Sequence, residues 1–377
     1  MKAAVIGGGF AGIVAALALV ERGHDVHLLE RRGLLGGRAT SYIDAASGDD
    51  VDSGFHFLLE GWRTTLEFLQ RQEAAGFLLY GLRWPGASIE TARAAWLREA
   101  PDRIDPAILT RVEGVLTRSE AAASPVLFRT GLGRLHEHLA QRFVASGGVI
   151  HRRALAERIE VESGRVGRVR FLQRAQTREG IRAGRRASRE TLAADCVIAA
   201  VPWHALAGLL DTAQAQSPLS ELARVAALPA VSIEAWLDEH VPLAALTSGP
   251  GPAIDWIADK SQLHGRPGAA QHLTFSVACA EAAHDLSNAE WTTLARRTLE
   301  AALAPARALA FQRVVVLREP AARYGCDTES SRLRAAAAET GIEGLFLAGD
   351  WTNPDLPACI EGAVQSGLRA AERAGRG

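Results

Sequence analysis

Lys2-Ala3-Ala4-Val5-Ile6-Gly7-Gly8-Gly9-Phe10-Ala11-Gly12 opens the chain, and the order of residue types in it decides the fold. A short apolar run meets three glycines, and an alanine- and leucine-rich segment then continues to Gly23-His24. The pattern predicts strand, glycine turn and helix. Gly7 permits the tight turn, Gly9 lets the backbone approach a pyrophosphate, and Gly12 lets the helix pack on the strand. The amides at Phe10 and Ala11 then present donors, and the positive end of the helix dipole, to an anion. A second apolar run, Asp25-Val26-His27-Leu28-Leu29, ends in Glu30 at about the spacing where a carboxylate meets a ribose hydroxyl, which favours an adenosine without a 2′-phosphate.

The other end of the chain completes the same site. Gly36-Gly37-Arg38 follows Glu30 closely, Gly344-Leu345-Phe346-Leu347-Ala348-Gly349-Asp350 reads as a strand running into a Gly-Asp turn, and a helix starts around Cys359-Ile360-Glu361-Gly362-Ala363. These blocks resemble the FAD-binding fingerprints of the amine oxidase and phytoene desaturase flavoprotein superfamily. The resemblance implies an α/β fold, with a Rossmann-like FAD-binding domain interleaved with a mixed α+β substrate domain. It places Arg38 near the pyrophosphate, Asp350 on the ribityl chain, and the helix start at Ile360 against the N1–C2=O edge of the flavin. It further implies FAD contacts at Gly7, Gly9, Phe10, Ala11, Gly12, Glu30, Arg31 and Gly37, at Gly54, Phe55 and His56, at Ala156 and Val201, and at Gly349, Pro357, Ala358 and Ala363.

Composition narrows the class. With 377 residues, 48% hydrophobic content and a formal net charge of −1, the chain is long enough for two intertwined domains and has no bulk electrostatic reason to bind nucleic acid. Cys196, Cys279, Cys326 and Cys359 are scattered without metal-ligand spacing, so they read as reduced thiols of a cytoplasmic protein, with no metal expected. Ala3 to Val20 carries no charge, but the glycines sit where a membrane helix would need an apolar run, and strand plus turn explains the stretch. Lysine occurs only as Lys2 and Lys260, which reads as genomic composition.

Patterning predicts an interleaved organisation: FAD-binding segments at 1–61, 131–202 and 318–377, and substrate-domain segments at 62–130 and 203–317. Ile159–Glu162 and Arg165–Arg170 alternate as a hairpin joined at Ser163-Gly164. Val231–Leu237 and His272–Val277 alternate as strands of a substrate-domain floor with helices above. The arginine-rich stretch from Gln173 to Arg189 is open to two readings, an anionic contact or a solvated hairpin extension.

Substrate-side residues must separate the reactions that share this fold. Val51-Asp52-Ser53-Gly54-Phe55-His56-Phe57-Leu58-Leu59, Ala253–Lys260 and Gly349–Gly367 together resemble the hydroxysqualene dehydroxylase family over most of the chain. The departures are a short region from Trp62 to Ser124 and Phe55 where a polar residue is expected. The resemblance implies reductive removal of an allylic hydroxyl from a C30 isoprenoid, an external electron donor that reduces the FAD, and peripheral contact with the inner face of the cytoplasmic membrane. Hydroxide is a poor leaving group, so a proton donor is needed. His56 is the first candidate, with Asp355, Glu361 and Arg63 as alternatives. Two other readings stand beside this one: carotenoid desaturase-like oxidation, and FAD or lipid binding without catalysis. Amine oxidation is disfavoured, because Ala358-Cys359-Ile360 lacks the expected aromatic and Lys260 is the sole lysine for a place near flavin N5.

Overall fold

The computed structural model describes residues 1–85, 89–97, 103–119, 121–175, 187–211, 218–249, 254–266, 270–277, 285–303, 308–337, 339–353 and 355–376. Five strands, β1 (Lys2–Ile6), β2 (Asp25–Glu30), β8 (Val149–Arg152), β12 (Cys196–Ala199) and β18 (Leu345–Leu347), form a parallel sheet in the order β18-β12-β1-β2-β8. The chain therefore leaves this sheet and returns to it. The first helix, Phe10–Val20, packs on the sheet and against the C-terminal helix Ile360–Ala374, which also meets β12 and β18. Ile13, Val14, Leu17 and Leu19 have no exposed surface, and burying a side chain of this size contributes about 1.5–3 kcal/mol. Gly367 permits the helix contact, since a Cβ there would stand 2.4 Å from the Ala11 carbonyl oxygen.

A second, antiparallel sheet runs in the order β14-β15-β16-β13-β17, from β13 (Ala227–Leu237), β14 (Leu246–Ser248), β15 (Trp256–Asp259), β16 (Gln271–Val277) and β17 (Arg313–Tyr324). Strand alternation splits its residues by face. Ile233, Ala235, Leu237, Leu273 and Phe275 pack with Trp291, Ala295 and Leu299 of helix Asn288–Ala302, whose start is closed by a Ser287/Glu290 capping box. The other face carries the cross-strand pairs Ser232/Ser276, Glu234/Thr274 and Trp236/His272, and all six side chains are buried. A helix thus covers the apolar back of the floor, and the polar front is turned inward. β17 continues its pairing with β13 as far as Tyr324, so the expected boundary at 317/318 falls inside a strand and the return to the parallel sheet comes after it.

Smaller elements join the two sheets. β3 (Ser41–Ile43) and β4 (Asp50–Asp52) form a hairpin, and β5 (Leu58–Leu59), β6 (Leu78–Leu79) and β7 (Pro125–Phe128) a small sheet. β9 (Ala154–Glu162) and β10 (Arg165–Arg174) pair across a turn in which Ser163 and Gly164 both have positive φ, 51° and 81°, as a tight hairpin turn requires; β11 (Ala187–Ala193) pairs with β10. The centre of the arginine-rich stretch, 176–186, lies outside the described residues.

Candidate active site

The cofactor cradle is built from backbone. Gly7 has φ of 104°, and a Cβ on it would stand 2.4 Å from the Ala200 carbonyl oxygen; one on Gly12 would stand 1.8 Å from the Gly7 oxygen. No larger residue fits either place. Gly9 precedes the first helical residue, no side chain caps that helix, and no acid lies in its first turn, so its leading amides keep their affinity for an anion. The second glycine block closes on the first: Gly36 N donates to the Gly8 oxygen at 2.7 Å, and Gly9 bridges Gly36. Glu30, buried, accepts from Gly8 N at 2.8 Å and from Arg32 N at 2.7 Å, which ties the turn to the end of β2 and leaves lone pairs on the carboxylate.

The late block meets the early ones here. Arg38 donates to the buried Asp350 carboxylate and, at 2.9 Å, to the Ala322 carbonyl. Trp351 Nε1 donates to the Val201 oxygen at 2.9 Å, and Tyr324 Oη donates to the oxygens of Asp350 and Leu356 at 3.2 and 3.0 Å, so the Asp350 turn is fastened from two sides. The C-terminal helix begins after Cys359, whose Sγ accepts from Gly362 N at 3.3 Å. Open amides, close-packed glycines, one guanidinium and two carboxylates are the donors and acceptors that a flavin dinucleotide requires. The residues fit FAD.

Next to the cradle is a cavity of about 30 Å³, lined on one side by Asp52, Gly54, Phe55 and His56 and on the other by Lys260, His264 and Thr274. Ser53 Oγ fastens its near wall to the cradle by donating to the Arg38 oxygen at 2.6 Å. Lys260 Nζ lies 2.5 Å from the Asp50 oxygen, 2.7 Å from Asp52 and 3.8 Å from Glu234. Glu234 is 0% exposed and accepts from Thr274 Oγ1 at 2.8 Å, with His272 Nε2 at 2.7 Å. Burial works against the Lys260 charge, but Asp52 and Glu234 outweigh it and hold the ammonium above its ordinary range. Burial likewise opposes the Glu234 charge, which Lys260 and His272 stabilise. Asp52 is pushed up by burial, against the pull of Lys260. His264 is pushed down to about 4 by burial and then by Lys260.

A family model for flavin-containing amine oxidoreductases matches residues 103–374, and one for NAD(P)-binding Rossmann-like domains matches residues 5–71. The chain belongs to the flavin-containing amine oxidoreductase family. It is an FAD-dependent oxidoreductase with the Rossmann-like fold of that family. The chain is 26% identical to a hydroxysqualene dehydroxylase of Rhodopseudomonas palustris, over 98% of this chain and 97% of the relative. It is 25% identical to that of Sinorhizobium fredii, over the same shares. The first alignment runs over 434 positions, more than the 377 residues here, so that relative carries segments without counterpart in this chain. Among solved structures, cyclohexylamine oxidase of Brevibacterium oxydans superposes with a TM-score of 0.71 at 14% identity, covering 100% of this chain and 99% of that one.

Within this family member, the expected site residues separate into groups. Gly7, Gly9, Gly12, Glu30, Gly37, Arg38, Gly349 and Asp350 meet at the cradle. Phe10 is buried against His136, with ring centroids 4.4 Å apart; burial pushes that imidazole down to about 4 and its Nδ1 lies 3.0 Å from the Leu132 oxygen, so it is a neutral packing residue. Ala156 lies on β9 opposite Phe171, and Arg31 is exposed. Pro357, Ala358, Ile360 and Ala363 surround the start of the C-terminal helix. His56 lines the cavity, 3.5 Å from Ser53 Oγ.

The other donor candidates are elsewhere. Glu361 is buried and accepts from Thr64 N, Thr65 N, Thr65 Oγ1 and Gln365 Nε2 at 2.6–3.3 Å, so it closes the start of helix Arg63–Arg71, and it does not line the cavity. Asp355 is exposed and its charge acts on Arg369. Arg63 is exposed on a separate open groove with Tyr80. Asp52, Glu234, Lys260, His264 and His272 were not expected as site residues. Lys260 carried one signal, as one of two lysines in the chain, and the polar half of the Val231–Leu237 alternation carried another.

Proposed function

We propose that the protein removes the allylic hydroxyl of hydroxysqualene to give squalene, using reduced FAD as hydride source. The observation that carries this reading is the two relatives named hydroxysqualene dehydroxylase, each aligned over nearly the whole of both chains. The aromatic packing behind Phe55, which lines the cavity, supports it. Phe57 stacks on Trp62 at 5.8 Å and meets Phe55 and Trp84 at 6.1 and 5.0 Å, Trp84 meets Trp256 at 5.1 Å, and Trp62 meets Trp96 at 5.2 Å. A continuous aromatic cluster beside a small cavity that mixes apolar walls, among them Leu127, Phe128 and Leu132, with Lys260, Asp52 and His56 suits a long polyene with one oxygen, and the ring faces favour a developing allylic cation.

The FAD contacts fall to the cradle: amides at Phe10 and Ala11 and the Arg38 guanidinium on the pyrophosphate, Glu30 on the ribose, Asp350 on the ribityl chain, and the amides near Ile360 on the flavin edge. Bound there, FAD supplies hydride chemistry. His56 stands in the cavity wall as a hydrogen-bond partner for the departing oxygen. A lipid substrate brings with it peripheral attachment to the inner face of the cytoplasmic membrane, for which exposed Tyr42 and Ile43 on the β3–β4 hairpin offer apolar surface; among the described residues no helix is long and apolar enough to cross one. The electron donor is an external reductant. Anaerobic mixing of photoreduced protein with hydroxysqualene tests the reading: flavin reoxidation with one squalene formed per flavin is expected, and reoxidation by a carotenoid precursor's dehydrogenated product in its place would overturn it.

A further inference from the structure

We propose that Lys260 binds the hydroxyl oxygen of the substrate and supplies the proton with which it leaves, while Asp52 and Glu234 hold the ammonium in position. This deepens the hydroxysqualene reading and rests on it. The geometry sets Lys260 apart from the expected donors Glu361, Asp355 and Arg63, none of which lines this cavity. It lines the cavity together with Asp52 and His56, and only 4% of its side chain is exposed. An ammonium has three N–H groups. Two are engaged, by the Asp50 oxygen and by Asp52; Glu234, at 3.8 Å, is beyond hydrogen-bond length and balances charge without filling the third. One N–H is therefore left for an oxygen in the cavity, and about 30 Å³ accommodates a hydroxyl group.

Energetics point the same way. A buried ion pair is a poor device for stability, and well-packed apolar residues of similar volume often do as well or better. Here one cation, two carboxylates and an imidazole are gathered on the inward face of a sheet whose opposite face already supplies an apolar core. Such an arrangement is understandable where a charge must stay available in a dry place. His264, the neighbouring imidazole, is neutral near pH 7, and Trp236 stacks on His272 at 4.3 Å, which fixes the far end of the cluster.

The step balances. The allylic carbon accepts hydride from reduced FAD, the C–O bond breaks with its electron pair on oxygen, and the oxygen takes one proton from Lys260 Nζ and departs as water. Asp52, hydrogen-bonded to Nζ with 17% of its side chain exposed, returns a proton to the amine from solvent.

The test uses FAD-loaded Lys260→Met and Lys260→Arg proteins, with FAD content and melting temperature as the check on folding. Binding of hydroxysqualene and of squalene to the oxidised protein, read from the flavin spectrum in detergent micelles, should favour hydroxysqualene about tenfold or more in the parent, as a charge-assisted hydrogen bond would give. Lys260→Met should bind both alike and lose about 10²–10⁴ in single-turnover flavin reoxidation. Lys260→Arg should keep the binding preference yet reoxidise slowly, because guanidinium does not release a proton, and it carries the test if the methionine variant does not fold. Either variant reoxidising at the parental rate, or Lys260→Met retaining the preference, overturns the proposal alone. A parent protein inert to hydroxysqualene overturns the underlying function, and this assignment with it.

Discussion

The FAD cradle and the charged cavity lie side by side, joined through Ser53, and they are made in opposite ways. The cradle is backbone: Gly7, Gly9 and Gly12 within one turn, with amides as the recognising groups, on a parallel sheet whose interior is apolar. The cavity is side chains: Asp52 from a hairpin, Thr274 from a strand and Lys260 from the helix start after another, with Glu234 behind them on the inward face of an antiparallel sheet. At Gly7 and Gly12 the first tolerates no added atom. The second tolerates no unpaired charge. The difference teaches that the reusable half of this enzyme is specified by space, and the half that distinguishes reactions by electrostatics.

The largest expected effect breaks the cradle. In Gly12→Val the new side chain collides with the Gly7 carbonyl, which a Cβ alone would approach to 1.8 Å, and the cost is about 3 kcal/mol or more because backbone must move; purification should give colourless or insoluble protein, measured as FAD per chain. The next breaks the cavity and spares the cradle. Glu234→Ala removes the carboxylate between Lys260 and His272 and should cost about 3–5 kcal/mol in urea unfolding with FAD retained; loss of less than about 1 kcal/mol would show that the cluster is solvated and that the contrast drawn here is wrong. Arg38→Ala, which removes the charge shared with Asp350, should weaken FAD about 10–100-fold in a reconstitution titration while leaving the apoprotein folded.

Smaller effects sharpen the boundary between the two regions. Glu361→Gln leaves the volume of its side chain but weakens the acceptor for Thr64 and Thr65, so a loss of about 1–2 kcal/mol and an unchanged reoxidation rate are expected. The last is a pH effect at the hairpin that carries Asp50 and Asp52. Arg313, stacked over Trp236 at 5.1 Å, hydrogen-bonds Asp44 and holds its carboxyl well below the ordinary 3.8. A lowered folded-state value means that this pair stabilises fully above pH about 3.8 and that the contribution is lost as pH falls below it. Asp44→Asn should therefore flatten the acid limb of a stability–pH curve below that value and change nothing in FAD content at pH 7.

Legibility in the sequence follows the same line between space and charge. Strand, turn and helix at Lys2–Val20 and the Gly-Asp turn at 349–350 are local, and glycine is demanded by backbone geometry at each point, so residue type and order are enough to read them. The hairpin at Ser163-Gly164 is legible for the same reason. Glu361 shows the opposite case. It stands at a helix start, where a carboxylate is expected to serve its own helix, and beside Gln365 of that helix its partners are Thr64 and Thr65 of another. Alternation in Val231–Leu237 announces a two-faced strand and is silent on whether the polar face meets water or the interior.

By itself, the sequence determined the FAD-binding half of this protein, because a dinucleotide turn needs small residues at fixed short spacing, and residue type and order announce them. Only the tertiary structure decided the charged half. Whether Lys260 is a surface lysine or a buried cation depends on the β3–β4 hairpin closing over the inward face of β13 and β16, which brings Asp50 and Asp52 to within 2.7 Å of its ammonium. That contact is made by packing between segments far apart in the chain, and burial, not residue type, sets the strength of the charges it encloses.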